Sequence, residues 1–89
     1  MSEVMMVYKV MPDGTESDLD HIKREIKKTV EKHGTFKGSS EEKVAFGLKA
    51  IVAKLVVPDE GGIVDKIEEE LKGIEEVQSV SAEDVTLID

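Results

Sequence analysis

The side chains able to do chemistry in this 89-residue chain are few and scattered. His21 and His33 are its two histidines, and neither has a second His, or any Cys, at a metal-binding spacing. Zinc coordination and general-base work both need convergent partners, so these histidines read as surface residues of a helix. Gly61-Gly62, ahead of an amphipathic stretch, has the outline of a phosphate cradle. No nucleotide-type glycine pattern surrounds it, and Asp59-Glu60 before it carries the wrong charge, so helix entry is the better reading. Glu68-Glu69-Glu70 cannot form a carboxylate dyad, because consecutive helical residues point about 100° apart. The sole arginine, Arg24, falls mid-helix and leaves no basic cradle for cleaving phosphate esters. No catalytic residue, metal ligand set or cofactor is expected. Phe46-Gly47 is different in kind: an aromatic beside a glycine at the entrance of the longest apolar run. A Phe there is either a plug in the core or an exposed anchor for a partner, and the glycine permits φ > 0 at the turn.

The elements that must position these residues follow from periodicity. From Val44 to Val57 the chain is almost continuously apolar, with Ile51, Ala53, Leu55 and Val57 on one parity. A two-residue period rich in β-branched residues predicts a central strand, which Pro58 stops because it has no N–H for the ladder. Val4, Met6, Tyr8 and Val10 alternate with Met5, Val7, Lys9 and Met11, both parities largely apolar, and predict a first strand inside the sheet. Ser17-Asp18 offers an N-cap to a helix with Leu19, Ile22, Ile26 and Val30 on its inner stripe, closed by Lys32-His33-Gly34 with the glycine in the C′ role. Thr35 to Ser40 is a weak second strand with Gly38 as a bulge, and Glu41-Glu42-Lys43 a polar turn into the central strand. Asp59 to Gly62 leads a second helix that buries Ile63, Val64, Ile67 and Leu71, and Gly73 ends it. Val80, Ala82, Val85 and Leu87 extend through a last strand bent around Glu83-Asp84.

The order βαββαβ, with two right-handed crossovers, predicts an α+β fold: a ferredoxin-like α/β sandwich with strand order 4-1-3-2 and both helices on one face. The opposite face stays open and carries Met5, Val7, Ala50, Val52 and Lys54, a mixed surface that a partner could cover. Residues 1–89 make one module with one core. A formal net charge of -8 disfavours nucleic acid and anionic membranes and favours a basic partner. The absence of cysteine excludes disulfides, thiolate metal sites and Cys nucleophiles, and fits a reducing cytoplasm. No secretory or membrane-spanning segment is evident. Three aromatics in all, Tyr8, Phe36 and Phe46, are too few for base stacking. What remains is a binding or regulatory module.

Three stretches make the reading specific: Val10-Met11-Pro12; Glu41 through Ile51 with its AFGLKA; and Gly61-Gly62 through Glu68-Glu69-Glu70-Leu71 to Ile74-Glu75-Glu76-Val77-Gln78-Ser79-Val80. In combination, and over essentially the whole chain, they resemble the archaeal translation elongation factor 1-beta family. Two turn positions depart from the family pattern, Lys43 where Pro is common and Glu76 where Gly is common. The resemblance implies the same ferredoxin-like fold and a guanine nucleotide exchange factor for elongation factor 1-alpha, acting without a cofactor and monomeric when free. With such a partner, the candidate contacts are Phe46, Gly47 and Lys49 at the strand entrance, picked out by the Phe-Gly pair itself, and the carboxyl end, Leu87, Ile88 and Asp89. In eukaryotic relatives a lysine near that end is associated with disturbing the magnesium site of the GTPase. This chain has no basic residue after Lys72, so its end would act by apolar wedging or by negative charge. The rival is a regulatory domain of the same topology that dimerises through the open face and senses a small ligand.

Overall fold

The structure, a computed structural model, describes residues 2–88. Its elements are β1 (Glu3–Pro12), α1 (Leu19–Glu31), β2 (Thr35–Lys43), β3 (Lys49–Pro58), α2 (Ile63–Lys72) and β4 (Val77–Leu87). All four strands pair antiparallel in the order β2-β3-β1-β4, which is the expected 4-1-3-2 read from the other edge.

Strand pleating sends alternate residues to opposite faces, and one parity of the two central strands makes the core. Val4, Met6, Tyr8 and Val10 of β1 pack with Ile51, Ala53, Leu55 and Val57 of β3 under Ile22, Ile26 and Val30 of α1 and Ile67 and Leu71 of α2. Both helices therefore cover one face. Each fully buried aliphatic side chain contributes about 1.5–3 kcal/mol, which outweighs the weak intrinsic stability of helices of 13 and 10 residues. The other parity, Met5, Val7, Ala50, Val52 and Lys54, lies on the open face, where the small Ala50 side chain is nevertheless buried.

Asp18 caps α1 as expected, its carboxylate accepting from the His21 N–H at 3.1 Å. Gly34 serves a purpose other than a left-handed C′ residue. A Cβ there would stand 2.3 Å from the Val56 carbonyl oxygen, so the glycine is required by the close passage of the α1–β2 turn over β3. β2 is also longer than its sequence suggests. Glu41, Glu42 and Lys43 are not a polar turn but ladder residues opposite Ile51, Ala50 and Lys49. An edge strand exposed along most of its length needs no apolar alternation, so its far half gave no periodic signal. The bulge falls between Phe36 and Gly38, and a second irregularity in β4 between Ala82 and Asp84 makes the predicted bend.

His33 corrects another expectation. Its side chain is only 12% exposed, and its Nε2 lies 2.9 Å from Glu70 Oε2, so it ties the end of α1 to α2 rather than facing water. Tyr8 points into the helix-covered core, where its hydroxyl donates to the Val64 carbonyl at 3.3 Å. Burial, reinforced by the nearby negative charges of Glu68 and Asp65, pushes its pKa up to about 12.

Candidate functional site

Between Lys43 and Lys49 the chain reverses in a tight turn. The Leu48 N–H bonds the Ala45 carbonyl at 3.3 Å, and the Val44 N–H bonds the Leu48 carbonyl at 2.9 Å. Phe46 (φ 62°, ψ 29°) and Gly47 (φ 77°) are both left-handed, the geometry of a type I′ turn. Asn-Gly is the usual occupant of such a turn, because Asn tolerates φ > 0 and Phe does not. A non-glycine residue in this region costs about 1–2 kcal/mol. Phe46 nevertheless holds it with its ring 94% exposed, the most exposed large apolar side chain among the described residues. Of the two sequence readings, core plug and exposed anchor, the structure shows exposure.

The surroundings of the tip come from elsewhere in the chain. Thr15, in the loop after β1, approaches Gly47, its Cγ2 lying 3.7 Å from where a Cβ would be. That loop is tied in turn to the α2–β4 turn: the Asp13 N–H bonds the Glu76 carbonyl and the Asp18 N–H bonds Glu76 Oε2, both at 2.8 Å. Glu76 is the only other described non-glycine residue with positive φ, at 74°. The departure of this position from Gly is therefore accommodated in a left-handed turn. Both strained residues thus sit at one pole of the sheet, where β1 ends and β3 and β4 begin, and backbone strain of this kind concentrates where a surface is used. Lys49, predicted for this site, starts β3, with its Nζ 3.8 Å from Glu41 Oε1. Glu41 also bonds Lys23 of α1, and that bond holds its carboxyl below the ordinary carboxylate range. Beside Phe46 a shallow cleft of about 310 Å³ is lined by Lys43, Val44, Gly47, Leu48 and Lys49.

The carboxyl-terminal candidates do not join this pole. Leu87 stands opposite Val4, which stands opposite Val57, so it lies at the far end of β3 from Lys49. At ~3.3 Å per residue, that separates the two sets by about 26 Å. Leu87 and Ile88 are 59% and 45% exposed and, like Val85, leave apolar surface near the end of the edge strand. The strand is paired through Leu87, and the Ile88 N–H bonds the Glu3 carbonyl at 3.0 Å, so this end is not frayed. Asp89 lies outside the described residues. Sequence reasoning missed Thr15 and Lys43 as parts of the tip; the separation of the two candidate sets was already implicit in the strand order.

Among the described residues no three or more His, Cys, Asp or Glu side chains gather as a metal site would need, and no helix is long and apolar enough to cross a membrane. Fold and site together define a small α/β sandwich whose distinguishing surface is an apolar hairpin tip. Residues 5–88 match the family model of the EF-1 guanine nucleotide exchange domain. The chain is 41% identical over 88 residues to elongation factor 1-beta of Archaeoglobus fulgidus, covering 99% of this chain and 100% of that protein. It is 40% identical over 85 residues to elongation factor 1-beta of Methanosphaera stadtmanae, covering 96% of each chain. Against elongation factor 1-beta of Halobacterium salinarum it is 36% identical over 85 residues, covering 96% of this chain and 97% of that protein. The chain belongs to the family of EF-1 guanine nucleotide exchange domains.

Proposed function

We propose that this chain, acting as one module over residues 1–89, releases GDP from elongation factor 1-alpha by pressing the Phe46 hairpin tip into it. The observation that carries the site is the exposure of a Phe held in a left-handed turn. An aromatic anchor fixed in advance loses little conformational freedom on docking, and such residues supply a large share of binding energy. No bond is broken and no cofactor of the chain's own is needed. The factor binds the nucleotide-free GTPase best, and by linkage nucleotide loosens the factor by the ratio in which the factor loosens nucleotide. GTP entry then ejects it.

In this reading the free chain is a cytoplasmic monomer without direct affinity for nucleic acid or membrane, in keeping with its net charge of -8. Gly47 and Lys49 shape the tip. Leu87 and Ile88, if they also engage, reach a second area of the GTPase about 26 Å away, since ~3.3 Å per strand residue sets the distance. The test is release of labelled GDP from elongation factor 1-alpha with and without the chain. Acceleration that Phe46→Ala removes, in a protein with an unchanged melting temperature, supports the reading; release at the unassisted rate defeats it.

A further inference from the structure

The tip breaks a second rule of strand pairing. Lys43 and Lys49 face each other directly across the β2–β3 ladder, and like charges placed opposite one another in an antiparallel pair are destabilising. Glu41 offsets only one of them, at 3.8 Å from Lys49 and shared with Lys23. Lys43 has no ion-pair partner among the described residues. The clefts between the helices and beside the β1–α1 loop include carboxylates, whereas the cleft flanking Phe46 is lined by these two lysines and by apolar and glycine residues; a cleft holding Lys37 and Lys54 also lacks carboxylates, but only the one at the tip adjoins an exposed aromatic ring. Strain at Phe46, an exposed ring and a pair of facing cations of which only Lys49 has a carboxylate partner thus coincide on one turn of a chain that is acidic as a whole.

We infer that the hairpin tip is built for an apolar pocket rimmed by carboxylates: the partner receives the Phe46 ring and places acidic side chains against Lys43 and Lys49. The inference rests on the proposed exchange function and names the chemistry of the surface that function requires. A polyanion such as RNA would meet the same two lysines, but it would also meet the charge of the whole chain, which repels it. A discrete carboxylate within a few ångströms feels mainly the local cations, because charges beyond about 8 Å are screened at physiological salt. The partner's carboxylates also relieve the repulsion between the lysines, so each charge contributes more in the complex than in the free chain.

The experiment measures binding of the full chain to nucleotide-free elongation factor 1-alpha by calorimetry over a range of salt, alongside GDP release and melting temperature. Lys43→Ala is expected to weaken binding about two- to fivefold, the range of an exposed ion pair, and to flatten its salt dependence. Its melting temperature should equal or exceed that of wild type, which a merely structural lysine would not allow. Lys43→Glu should weaken binding about tenfold or more through like-charge contact with the rim, although it would pair favourably with Lys49 in the free chain. Lys27→Ala, on the exposed side of α1, serves as the control and should behave as wild type. If wild type accelerates GDP release while Lys43→Glu binds as tightly with the same salt dependence, the carboxylate rim is overturned and the exchange function stands. Tight binding of a mixed-sequence RNA that Lys43→Glu abolishes overturns it in favour of phosphate. If wild type does not accelerate release at all, the exchange reading falls and takes this inference with it.

Discussion

The carboxylate of Glu76 accepts a hydrogen bond from the Asp18 backbone N–H at 2.8 Å, joining the turn before β4 to the N-cap of α1. Glu76 makes that bond from a left-handed backbone with φ 74°. Two effects of similar size therefore oppose each other at one residue: strain of about 1 kcal/mol and a hydrogen bond worth about as much. Glu76→Ala keeps the strain and loses the bond, whereas Glu76→Gly loses both. Glu76→Gly should be the more stable variant by about 1 kcal/mol, and lie within about 0.5 kcal/mol of wild type. Equal melting temperatures for the two variants would contradict this account of the turn.

Phe46 permits a parallel separation of stability from function. Phe46→Gly removes the left-handed penalty of about 1–2 kcal/mol and no buried contact, so the variant should melt at or above the wild-type temperature. Its exchange activity should fall by about thirtyfold or more, the loss expected for a central aromatic anchor worth at least ~2 kcal/mol. A stability loss of about 3–5 kcal/mol, the signature of a core phenylalanine, would instead mean that the ring is buried in solution.

The carboxyl end can be tested apart from the tip because the sheet holds the two apart. Removing Leu87, Ile88 and Asp89 deletes one ladder residue opposite Val4 and the Ile88 bond to Glu3. Neither reaches the hairpin. Thermal melting verifies the fold of the truncated chain, and GDP release then reports whether a second contact exists. Full activity would remove the end from the mechanism; partial loss, with the Phe46→Gly defect persisting on top, would mean two separate areas of contact.

How much of this was legible beforehand varied with the physics of each element. β1, β3 and α1 were readable because burial imposes a period, two residues in strands and three to four in the helix. The far half of β2 was not, since Ser39 to Lys43 are exposed on an edge and nothing selects their side chains by face. The sequence could not decide between plug and anchor for Phe46, because exposure depends on the backbone of the turn, in which Phe46 and Gly47 both take positive φ. His33 and Glu70 are 37 positions apart, a separation that leaves no local signal of their contact. Glu76 did leave a signal, as a residue other than glycine at a turn that favours glycine.

Tyr8 gives the chain an alkaline limit that can be followed at a single residue. It is the only tyrosine, and the chain has no tryptophan, so its ultraviolet titration is free of overlap. Its pKa rises from 10.0 to about 12 on folding. A raised folded-state value means stability that is complete below the unfolded pKa and is lost as pH climbs through the folded one. About 2 kcal/mol should disappear between roughly pH 10 and pH 12, with tyrosinate appearing alongside unfolding. Tyr8→Phe should abolish this alkaline dependence while costing about 1 kcal/mol at neutral pH through the lost bond to Val64. Titration near the ordinary tyrosine value in the folded protein would refute it.

At the acid end the sign reverses. Glu70 is held below the ordinary carboxylate range first by its hydrogen bond from His33 and then by Lys32, and Glu41 by Lys23 and then Lys49. Depressed carboxylates stabilise the fold above their unfolded pKa, and that contribution is lost as pH falls through the folded values. Melting temperature should therefore decline below about pH 4.5 in wild type and decline less steeply in Glu70→Gln and Glu41→Gln. Parallel pH profiles for wild type and both variants would show that these pairs do not contribute.

Ser2 and Ile88 are both bonded at the pole opposite Phe46, Ser2 through the Asp59 N–H and Ile88 through Glu3. A fluorophore, surface tether or fused domain attached beyond either one would hang from the base of the sheet and leave the hairpin pointing outward. The chain can accordingly be immobilised by its ends with the tip free to meet a partner in solution, and a dye at the base would report docking at the tip only over the length of the molecule. That arrangement suits energy transfer rather than contact quenching as the readout of exchange.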